Sequence, residues 1–190
     1  MEISDEDVVQ AMAAIPGYID ITTADFKEIY LAAYALALKR MMTSVQAKDI
    51  MTHPVTVVQA DTPLMETAGL LAEKNISGVP VVDGDQKVIG VVSEKDFIKN
   101  MGAGVTGSFM GIIAECLKDK GCVAAPVRVK LARDIMSHPA ITAREDISHS
   151  EISALFAARR INRLPIVDGK DRLVGIVTRS DLVQSYCFLE

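Results

Sequence analysis

The sequence predicts a mixed α/β (α+β) fold made of two copies of one β-α-β-β-α unit, preceded by a helical N-terminal arm. The main observation is an internal repeat: VPVVDGDQKVIGVVSEKD at Val79–Asp96 returns as LPIVDGKDRLVGIVTRSD at Leu164–Asp181. The shared positions keep one constant offset without a gap, which also relates Asp49 to Asp134. Apolar patterns with the periods of strands and helices alternate at the same places in both copies. A unit of this size is marginally stable alone, so we expect the two copies to pack together.

The composition favours a globular protein without a polyanionic partner. Hydrophobic residues make up 49% of the 190-residue chain and charged residues 24%, which is enough to form a core. With 25 acidic and 20 basic residues, the net charge of −5 predicts neither nucleic acid nor membrane as a partner. We find no basic signal region and no apolar run of ~20 residues, and we expect a cytoplasmic protein. Cys116, Cys122 and Cys187 form no CxxC pair and predict reduced thiols.

Residues 1–46 lie outside the repeat and predict two helices. Ser4 with Asp7 can cap the first, and Thr22 with Asp25 can cap the second, longer one. The second helix carries an apolar stripe at helical spacing: Phe26, Ile29, Tyr30, Ala33, Tyr34, Ala37 and Met41. Further apolar residues fall outside this stripe: Leu31, Leu36 and Leu38. The helix therefore either covers the core of the repeats or contacts a second subunit, and the sequence leaves both open.

Residues 47–101 form the first repeat, in which β-branched runs alternate with amphipathic segments. Asp61-Thr62-Pro63 starts a helix, Asp83-Gly84 turns a hairpin, and Ser93 starts the closing helix. The predicted strands are Val55–Val58, Val79–Val82 and Val88–Val92. The inner face of the first helix is predicted to hold Leu64, Ala68 and Leu71, with Met65 and Ala72 beside them.

Residues 102–132 separate the copies, and 133–190 form the second repeat. The Gly102–Gly107 segment contains G-x-G-x-x-G, but it follows a helix rather than a strand, so we interpret it as a hinge. Ser108 then starts an inserted helix. In the second repeat, Ala140–Ala143 is a predicted strand, and Thr178 starts the last helix. The helix between them is predicted to face inward with Ile152, Leu155 and Phe156.

Each hairpin runs into a helix through one motif, GVVSEKD in the first copy and GIVTRSD in the second. Ser93 and Thr178 place a hydroxyl at the helix start, where unpaired N–H groups and the helix dipole favour an anion. Asp96 and Asp181, one turn on, present carboxylates that can accept two hydrogen bonds from a ribose diol. Together these groups suit a nucleoside phosphate. The alternative is that each pair only forms an N-terminal capping box.

The tandem of ϕ-P-ϕ-V-D-G and ϕ-ϕ-G-ϕ-V-[ST]-x-x-D, with D-I-M-x-H-P opening each unit, resembles the cystathionine-β-synthase (CBS) domain. A pair of such domains is called a Bateman module. The resemblance covers about residues 47–185, except most of 101–132, and does not include 1–46. It implies two units packed through their sheets about a pseudo-twofold axis, with two clefts for adenosine-containing ligands such as AMP, ADP, ATP or S-adenosylmethionine. It also implies a homodimer that acts as a sensor on an effector protein.

By motif position, the resemblance implies that Asp96 and Asp181 hold ribose and that Ser93 and Thr178 contact phosphate. The adenine is implied to lie beside the first hairpin strand of each copy and the opening strands. The residues concerned are Thr56, Val79, Pro80, Val81, Ile141, Leu164, Pro165 and Ile166.

The two copies differ in charge near the motif. The second copy has Arg160, Arg163 and Arg179, whereas the first has neutral residues or Glu94 at the equivalent positions. Guanidinium groups bind phosphate and a carboxylate repels it. We therefore predict unequal clefts, with phosphate held chiefly by the second copy's arginines and with Arg163 able to reach the first cleft. For Arg159 and Arg160 the alternative is a solvated helix end.

The sequence does not predict catalysis. We find no nucleophile beside a base and no acidic dyad, and we expect no required cofactor. His53 and His138 occupy equivalent turns, but two histidines without a third donor do not predict a metal site, and His149 is predicted to lie on the surface. The best-supported function is a regulatory adenine-nucleotide sensor that acts through a ligand-induced conformational change. The alternative is a ligand-free assembly or dimerisation module.

Overall fold

The computed structural model describes residues 4–16, 20–101, 110 and 127–187. The predicted Gly-rich hinge, most of the inserted helix from Ser108, and Cys116 and Cys122 lie outside these residues. The described helices and strands are α1 (Asp5–Ala14), α2 (Thr23–Ser44), α3 (Ala47–Ile50), β1 (Val58–Gln59), α4 (Leu64–Lys74), β2 (Gly78–Val82), β3 (Val88–Ser93), α5 (Glu94–Asn100), α6 (Ala132–Ile135), β4 (Ala143–Arg144), α7 (His149–Arg159), β5 (Arg163–Val167), β6 (Leu173–Thr178) and α8 (Arg179–Cys187).

Each repeat contains one three-stranded sheet, ordered β1-β2-β3 in the first and β4-β5-β6 in the second. Strands β1 and β4 run parallel to the middle strands β2 and β5. The hairpin pairs β2-β3 and β5-β6 are antiparallel. The register is the same in both sheets, with Val81 opposite Gly90 and Ile166 opposite Gly175. The predicted mixed fold of two β-α-β-β-α repeats is confirmed. The one-turn helices α3 and α6 escaped prediction because four residues are too few to show a helical period.

Strands β1 and β4 are shorter than predicted. Sheet pairing begins only at Val58 and Ala143, whereas the strands were predicted to start at Val55 and Ala140. The residues before them are β-branched or apolar and fit an extended backbone, but they run outside the sheet along open clefts described below. Extended backbone alone therefore did not imply strand pairing at these positions.

The one-turn helices α3 and α6 are exchanged between the repeats. Ala47 of α3 is fully buried in the core of the second repeat, and Ala132 of α6 is fully buried in the core of the first. The Ala47 N–H donates to the Ile147 carbonyl at 2.8 Å, and the Ala132 N–H donates to the Thr62 carbonyl at 2.9 Å. Each core is thus completed by the segment that leads into the other repeat, which holds the two repeats together.

Two glycines allow the exchanged segments to approach the sheets. A Cβ added at Gly90 would overlap Met136, and a Cβ added at Gly175 would overlap Met51. Both methionines follow an exchanged helix, and each packs against the core of the repeat across the interface. The glycine in each G-ϕ-V-[ST] motif therefore serves close packing between the repeats.

Helix α4 buries Leu64, Thr67 and Leu71, which lie on one face at helical spacing. The prediction was right for Leu64 and Leu71. It missed Thr67, whose hydroxyl donates to the Pro63 carbonyl at 3.1 Å and so tolerates burial. It was wrong for three residues that the structure leaves exposed: Met65, Ala68 and Ala72.

Helix α7 buries Ile152 and Phe156 in the core of the second repeat, with Leu155 partly buried beside them, as predicted. The surface position predicted for His149 was wrong, since it is only 3% exposed. His149 lies one turn before Ile152 on the same helix face, and its Nε2 is 3.2 Å from the Leu182 carbonyl oxygen. A packing contact between α7 and α8 therefore decides its burial.

The N-terminal arm forms the two predicted helices with the predicted caps. The Ser4 hydroxyl donates to Asp7 at 2.7 Å, and the Thr22 hydroxyl donates to Asp25 at 2.6 Å. Helix α2 packs against α1 and α7, yet several large side chains of its apolar faces are exposed, with Ile29 at 60%. The core-covering interpretation of this stripe therefore holds only in part. Among the described residues, none of the helices is both long and apolar enough to cross a bilayer.

The hairpin turns give a prediction about acid stability. Asp168 accepts hydrogen bonds from the N–H groups of Lys170 and Arg172 at Oδ1 and from the Arg172 guanidinium at Oδ2. The backbone and side-chain bonds from Arg172 lower the pKa of Asp168 from 3.8 to about 2. Because the folded-state pKa is depressed, this stabilisation is present above pH ~4 and disappears as the pH falls toward ~2.

We expect Asp168→Asn to lower the free energy of unfolding at pH 7, with the difference from wild type shrinking between pH ~4 and ~2. Urea unfolding followed by circular dichroism at several pH values measures this. Asp83→Asn is the matched control, because Asp83 accepts the same two backbone bonds while Lys87 replaces the arginine. If the difference in free energy of unfolding stayed constant down to pH ~2, the charge of the Asp168 carboxylate would not contribute to stability.

Candidate functional site

Two clefts lie between the repeats, and each is lined by residues from both. The first cleft has a volume of about 260 Å³ and is formed by α5 with the end of β3 from the first repeat and by the segments around 137–141 and 160–163 of the second. The second cleft has a volume of about 440 Å³ and is formed by the 52–56 and 75–80 segments of the first repeat and the start of α8 of the second. The exchange of α3 and α6 brings the opening segment of each repeat to the motif helix of the other.

Ser93 and Asp96 line the first cleft together. Asp96 Oδ2 accepts the Ser93 N–H at 2.8 Å and the Ser93 hydroxyl at 2.6 Å, which is the predicted capping box. Its other oxygen, Oδ1, lies 3.5 Å from the hydroxyl of Ser137, which also lines the cleft. Asp96 is 7% exposed. One carboxylate can therefore cap α5 and still offer an oxygen to a ligand, so the two readings of the motif are compatible.

Four cationic side chains line the first cleft beside the carboxylates of Glu94 and Asp96. They are Lys95, Lys99, Arg160 and Arg163. Arg160 was expected beside the second copy's own motif and instead faces the motif of the first. A carboxylate next to an excess of cations can bind a neutral diol and an anion at the same time.

Arg160 adopts an uncommon backbone conformation. It ends α7 with φ 54° and ψ 37°, in the left-handed region, as Asn75 ends α4 with φ 52° and ψ 44°. Asparagine tolerates this region better than arginine, for which it costs roughly 1–2 kcal/mol. The second repeat thus keeps a cation at the mouth of the first cleft at a conformational cost.

The second cleft contains Thr56, Pro80, Thr178 and Arg179 of the predicted site. Thr178 donates its hydroxyl to Asp181 Oδ2 at 2.7 Å, so the capping box of the first repeat is repeated here. Asp181 itself does not line either of these two clefts. The two clefts therefore differ in their charged residues, and the second copy's arginines are divided between them.

Several predicted residues are placed in the cores rather than on the clefts. Val79 and Val81 of β2 and Leu164 and Ile166 of β5 are fully buried in the two apolar clusters, because alternate strand residues face the core. Pro165 is also fully buried and lines neither cleft. The resemblance did not separate the faces of each strand, and of β5 only Arg163 lines a cleft. Of the residues predicted to contact adenine, Ile141 lines the first cleft, and Thr56 and Pro80 line the second.

The first N–H of each motif helix has a partner inside the protein. The Glu94 N–H donates to the Ser77 carbonyl at 3.1 Å, and the Arg179 N–H donates to the Asn162 carbonyl at 3.3 Å. These donors were expected to help hold an anion. The side-chain cations are therefore left with the larger share of any phosphate binding.

Arg163 lies where the two clefts meet and lines both. Its Nη1 donates to the Ser77 carbonyl and its Nη2 to the Ser77 hydroxyl, both at 2.7 Å. Burial lowers the pKa of the Arg163 guanidinium, and the charges of Glu94 and Asp96 oppose this shift. A Cβ at Gly78, the equivalent position of the first repeat, would overlap this guanidinium.

Sequence reasoning missed several residues that line the clefts. Ser77, Lys99, Ser137 and Asn162 line one or both clefts, and none was among the predicted site residues. A signal was present in part, since Ser77 and Asn162 occupy equivalent positions directly before β2 and β5. Among the described residues, no group of three or more side chains could hold a metal ion.

Comparisons with known proteins identify the family. A family model of the CBS domain matches residues 47–103 and 132–187. An uncharacterized protein of Methanocaldococcus jannaschii is 32% identical over 155 residues, covering 73% of this chain and 89% of that protein. An inosine-5′-monophosphate dehydrogenase of the same organism is 26% identical, and the match covers 97% of this chain but only 36% of the dehydrogenase.

Solved structures of CBS pairs share the fold. The CBSX2 protein in complex with AMP has a TM-score of 0.60 at 26% identity, covering 77% of this chain and 99% of that one. A CBS domain pair in complex with 5′-methylthioadenosine and S-adenosyl-L-methionine has a TM-score of 0.57 at 26% identity, covering 77% and 98%. With both repeats matched by the family model and with the fold shared by such pairs, the chain belongs to the CBS domain family.

Proposed function

We propose that this protein is a regulatory module that binds adenine nucleotides in its two clefts. The observation that carries the proposal is the first cleft, where Asp96 offers a carboxylate oxygen within a group of four cationic side chains. A carboxylate accepts hydrogen bonds from a ribose diol, and the cations bind the attached phosphate. The CBS pairs crystallised with AMP and with S-adenosyl-L-methionine support an adenosine-containing ligand.

The charges favour a nucleotide with phosphate over a neutral nucleoside. In the first cleft, Lys95, Lys99, Arg160 and Arg163 outnumber Glu94 and Asp96, and in the second cleft Arg179 and Arg163 lie beside Thr178. We assign ribose binding to Asp96 in the first cleft. We assign phosphate binding to the surrounding cations, and adenine contacts to the segments that contain Thr56 and Ile141.

The mechanism follows from the way each cleft spans both repeats. A ligand that contacts both walls stabilises one relative placement of the repeats, and it shifts the equilibrium by its difference in affinity between placements. Since α3 leads from α2 directly into the second repeat's core, such a shift would be transmitted to the N-terminal arm. We propose that the arm or a homodimer formed through it acts on an effector protein in the cytoplasm, and that the role is not catalytic.

The alternative function is an assembly module whose clefts remain empty. The observation that favours it is the apolar surface of α2, on which Tyr30, Leu31, Tyr34 and Leu36 are all exposed by 44% or more. An apolar patch of this kind is typical of an association surface. Assembly and sensing are compatible, so ligand binding is what separates the two functions.

The test is isothermal titration of the purified protein with AMP, ADP, ATP, S-adenosylmethionine and adenosine, with thermal unfolding in parallel. We expect a phosphate-bearing adenine nucleotide to bind more tightly than adenosine. At 100 times its Kd, a bound ligand raises the free energy of unfolding by about 2.7 kcal/mol. If none of the five compounds gave heat or a thermal shift at millimolar concentration, the sensor function would be rejected in favour of the assembly module. Phosphate release from ATP would contradict a non-catalytic role.

The left-handed residue Arg160 gives a prediction that separates stability from binding. We expect Arg160→Gly to raise the free energy of unfolding by about 0.5 kcal/mol, because glycine removes the left-handed cost but adds chain entropy in the unfolded state. We also expect it to weaken AMP binding in the first cleft several-fold, since a phosphate-binding cation is lost. Urea unfolding and titration calorimetry measure the two effects. Asn75→Gly, at the equivalent position, is the control and should leave first-cleft binding unchanged.

A further inference from the structure

The two clefts share a wall that carries Arg163. Ser77, Asn162 and Arg163 are the described residues that line both clefts. Ser77 and Asn162 are equivalent in the two repeats, as are Gly78 and Arg163. Exact repeat symmetry would give this wall either two guanidinium groups or none. The described structure instead places one guanidinium there, against the space left by the missing side chain of Gly78.

The guanidinium is held in place within this wall. Both of its Nη atoms donate to Ser77, whose carbonyl also accepts the N–H of Glu94 at the start of α5. Arg163 is therefore connected through Ser77 to the start of α5 in the first cleft, and it also lines the second cleft. A charge in this position acts on both clefts without having to move between them.

We propose that Arg163 couples the two clefts negatively for anionic ligands. Resting on the proposed function, the inference is that a nucleoside phosphate bound in one cleft neutralises this charge and so lowers the affinity of the other cleft for a second phosphate. Partly buried charges are screened little by salt, so the effect of this shared charge should remain at ordinary ionic strength. A neutral nucleoside shows no such coupling, because it has no phosphate to compete for the guanidinium.

The experiment compares each cleft with the other one filled or blocked. Ala140→Trp blocks the first cleft and Val55→Trp blocks the second; both positions are equivalent in the repeats, each lines its own cleft, and neither change alters a charge. Titration calorimetry with AMP gives a single-cleft Kd from each blocked variant and two stepwise Kd values from wild type. The same set is measured with Arg163→Gln and with adenosine. Ala140→Phe and Val55→Phe serve if a tryptophan variant is unfolded by circular dichroism.

For independent sites, the second stepwise Kd can be calculated from the two single-cleft constants. We expect the second stepwise Kd for AMP in wild type to be at least about fivefold larger than this calculated value. In Arg163→Gln, and with adenosine in wild type, the constants should agree with independent sites. Agreement with independent sites for AMP in wild type would overturn the inference and leave the proposed function intact. Coupling that persists in Arg163→Gln, or coupling of positive sign, would also overturn it. Absence of binding in every variant and in wild type would instead remove the proposed function.

Discussion

Asp96→Ala is expected to weaken AMP binding in the first cleft by about 10-fold to 150-fold. The carboxylate would lose its hydrogen bonds with the ribose diol, and hydrogen bonds to charged groups contribute about 1.5–3 kcal/mol. Asp96 is 7% exposed and lines the cleft beside Ser137, so its carboxylate is close to any ligand bound there. Titration calorimetry with AMP measures the change, and wild-type binding in the second cleft serves as an internal reference.

The same substitution also removes a helix cap, which costs about 0.5–2 kcal/mol of stability. Asp7→Ala is the matched control, since Asp7 accepts the N–H and the hydroxyl of Ser4 in the same way but lies on α1, away from both clefts. It should lower stability and leave AMP binding unchanged. Asp181→Ala then tests whether the second cleft uses its own motif carboxylate. Unchanged AMP binding in Asp96→Ala would remove the role we assign to this residue.

Phe156→Ala is expected to lower the free energy of unfolding by about 3–5 kcal/mol. Phe156 is 3% exposed and lies in the core of the second repeat with Ile152, Leu164 and the exchanged residue Ala47. The loss is a large part of the roughly 5–15 kcal/mol that stabilises a typical domain. Since Ala47 belongs to the segment leading into the first repeat, the cavity should weaken the contact between the repeats as well.

Guanidinium unfolding followed by circular dichroism measures this loss. Met65→Ala is the control, because Met65 is 70% exposed on α4, and an exposed substitution should change stability by no more than about 0.5 kcal/mol. A change below about 1 kcal/mol for Phe156→Ala would show that this core is loosely packed. If the exchange of α3 couples the repeats, the unfolding of Phe156→Ala should remain a single transition.

The local motifs could be predicted from the sequence because each depends on residues that are close together in the chain. Caps such as Ser4 with Asp7 and Ser93 with Asp96 depend on residues three apart, and the hairpins depend on turn residues between β-branched runs. The internal repeat supported the prediction of each helix and strand, because chance periodicity does not place the same pattern at the same positions of two copies. Fold class, element order and the motif residues Ser93, Asp96 and Thr178 were predicted on this basis.

Predictions failed where the outcome depended on which surface an element meets. Met65 and Ala68 fit an apolar helix face as well as Thr67 does, yet only Thr67 faces the core. His149 is buried because α8 covers it. Tertiary packing selects among faces that a periodic pattern leaves equal.

Sequence patterns were sufficient to predict two similar α/β units after a helical arm, each with a hydroxyl and a carboxylate at the start of a helix. How these groups combine into sites depends on the packing of the two repeats. By exchanging α3 and α6, the fold brings Arg160 of the second repeat to Asp96 of the first and places Arg163 on the wall between the clefts. Each short helix completes the opposite core, and the clefts therefore form between the repeats, with residues from distant parts of the chain.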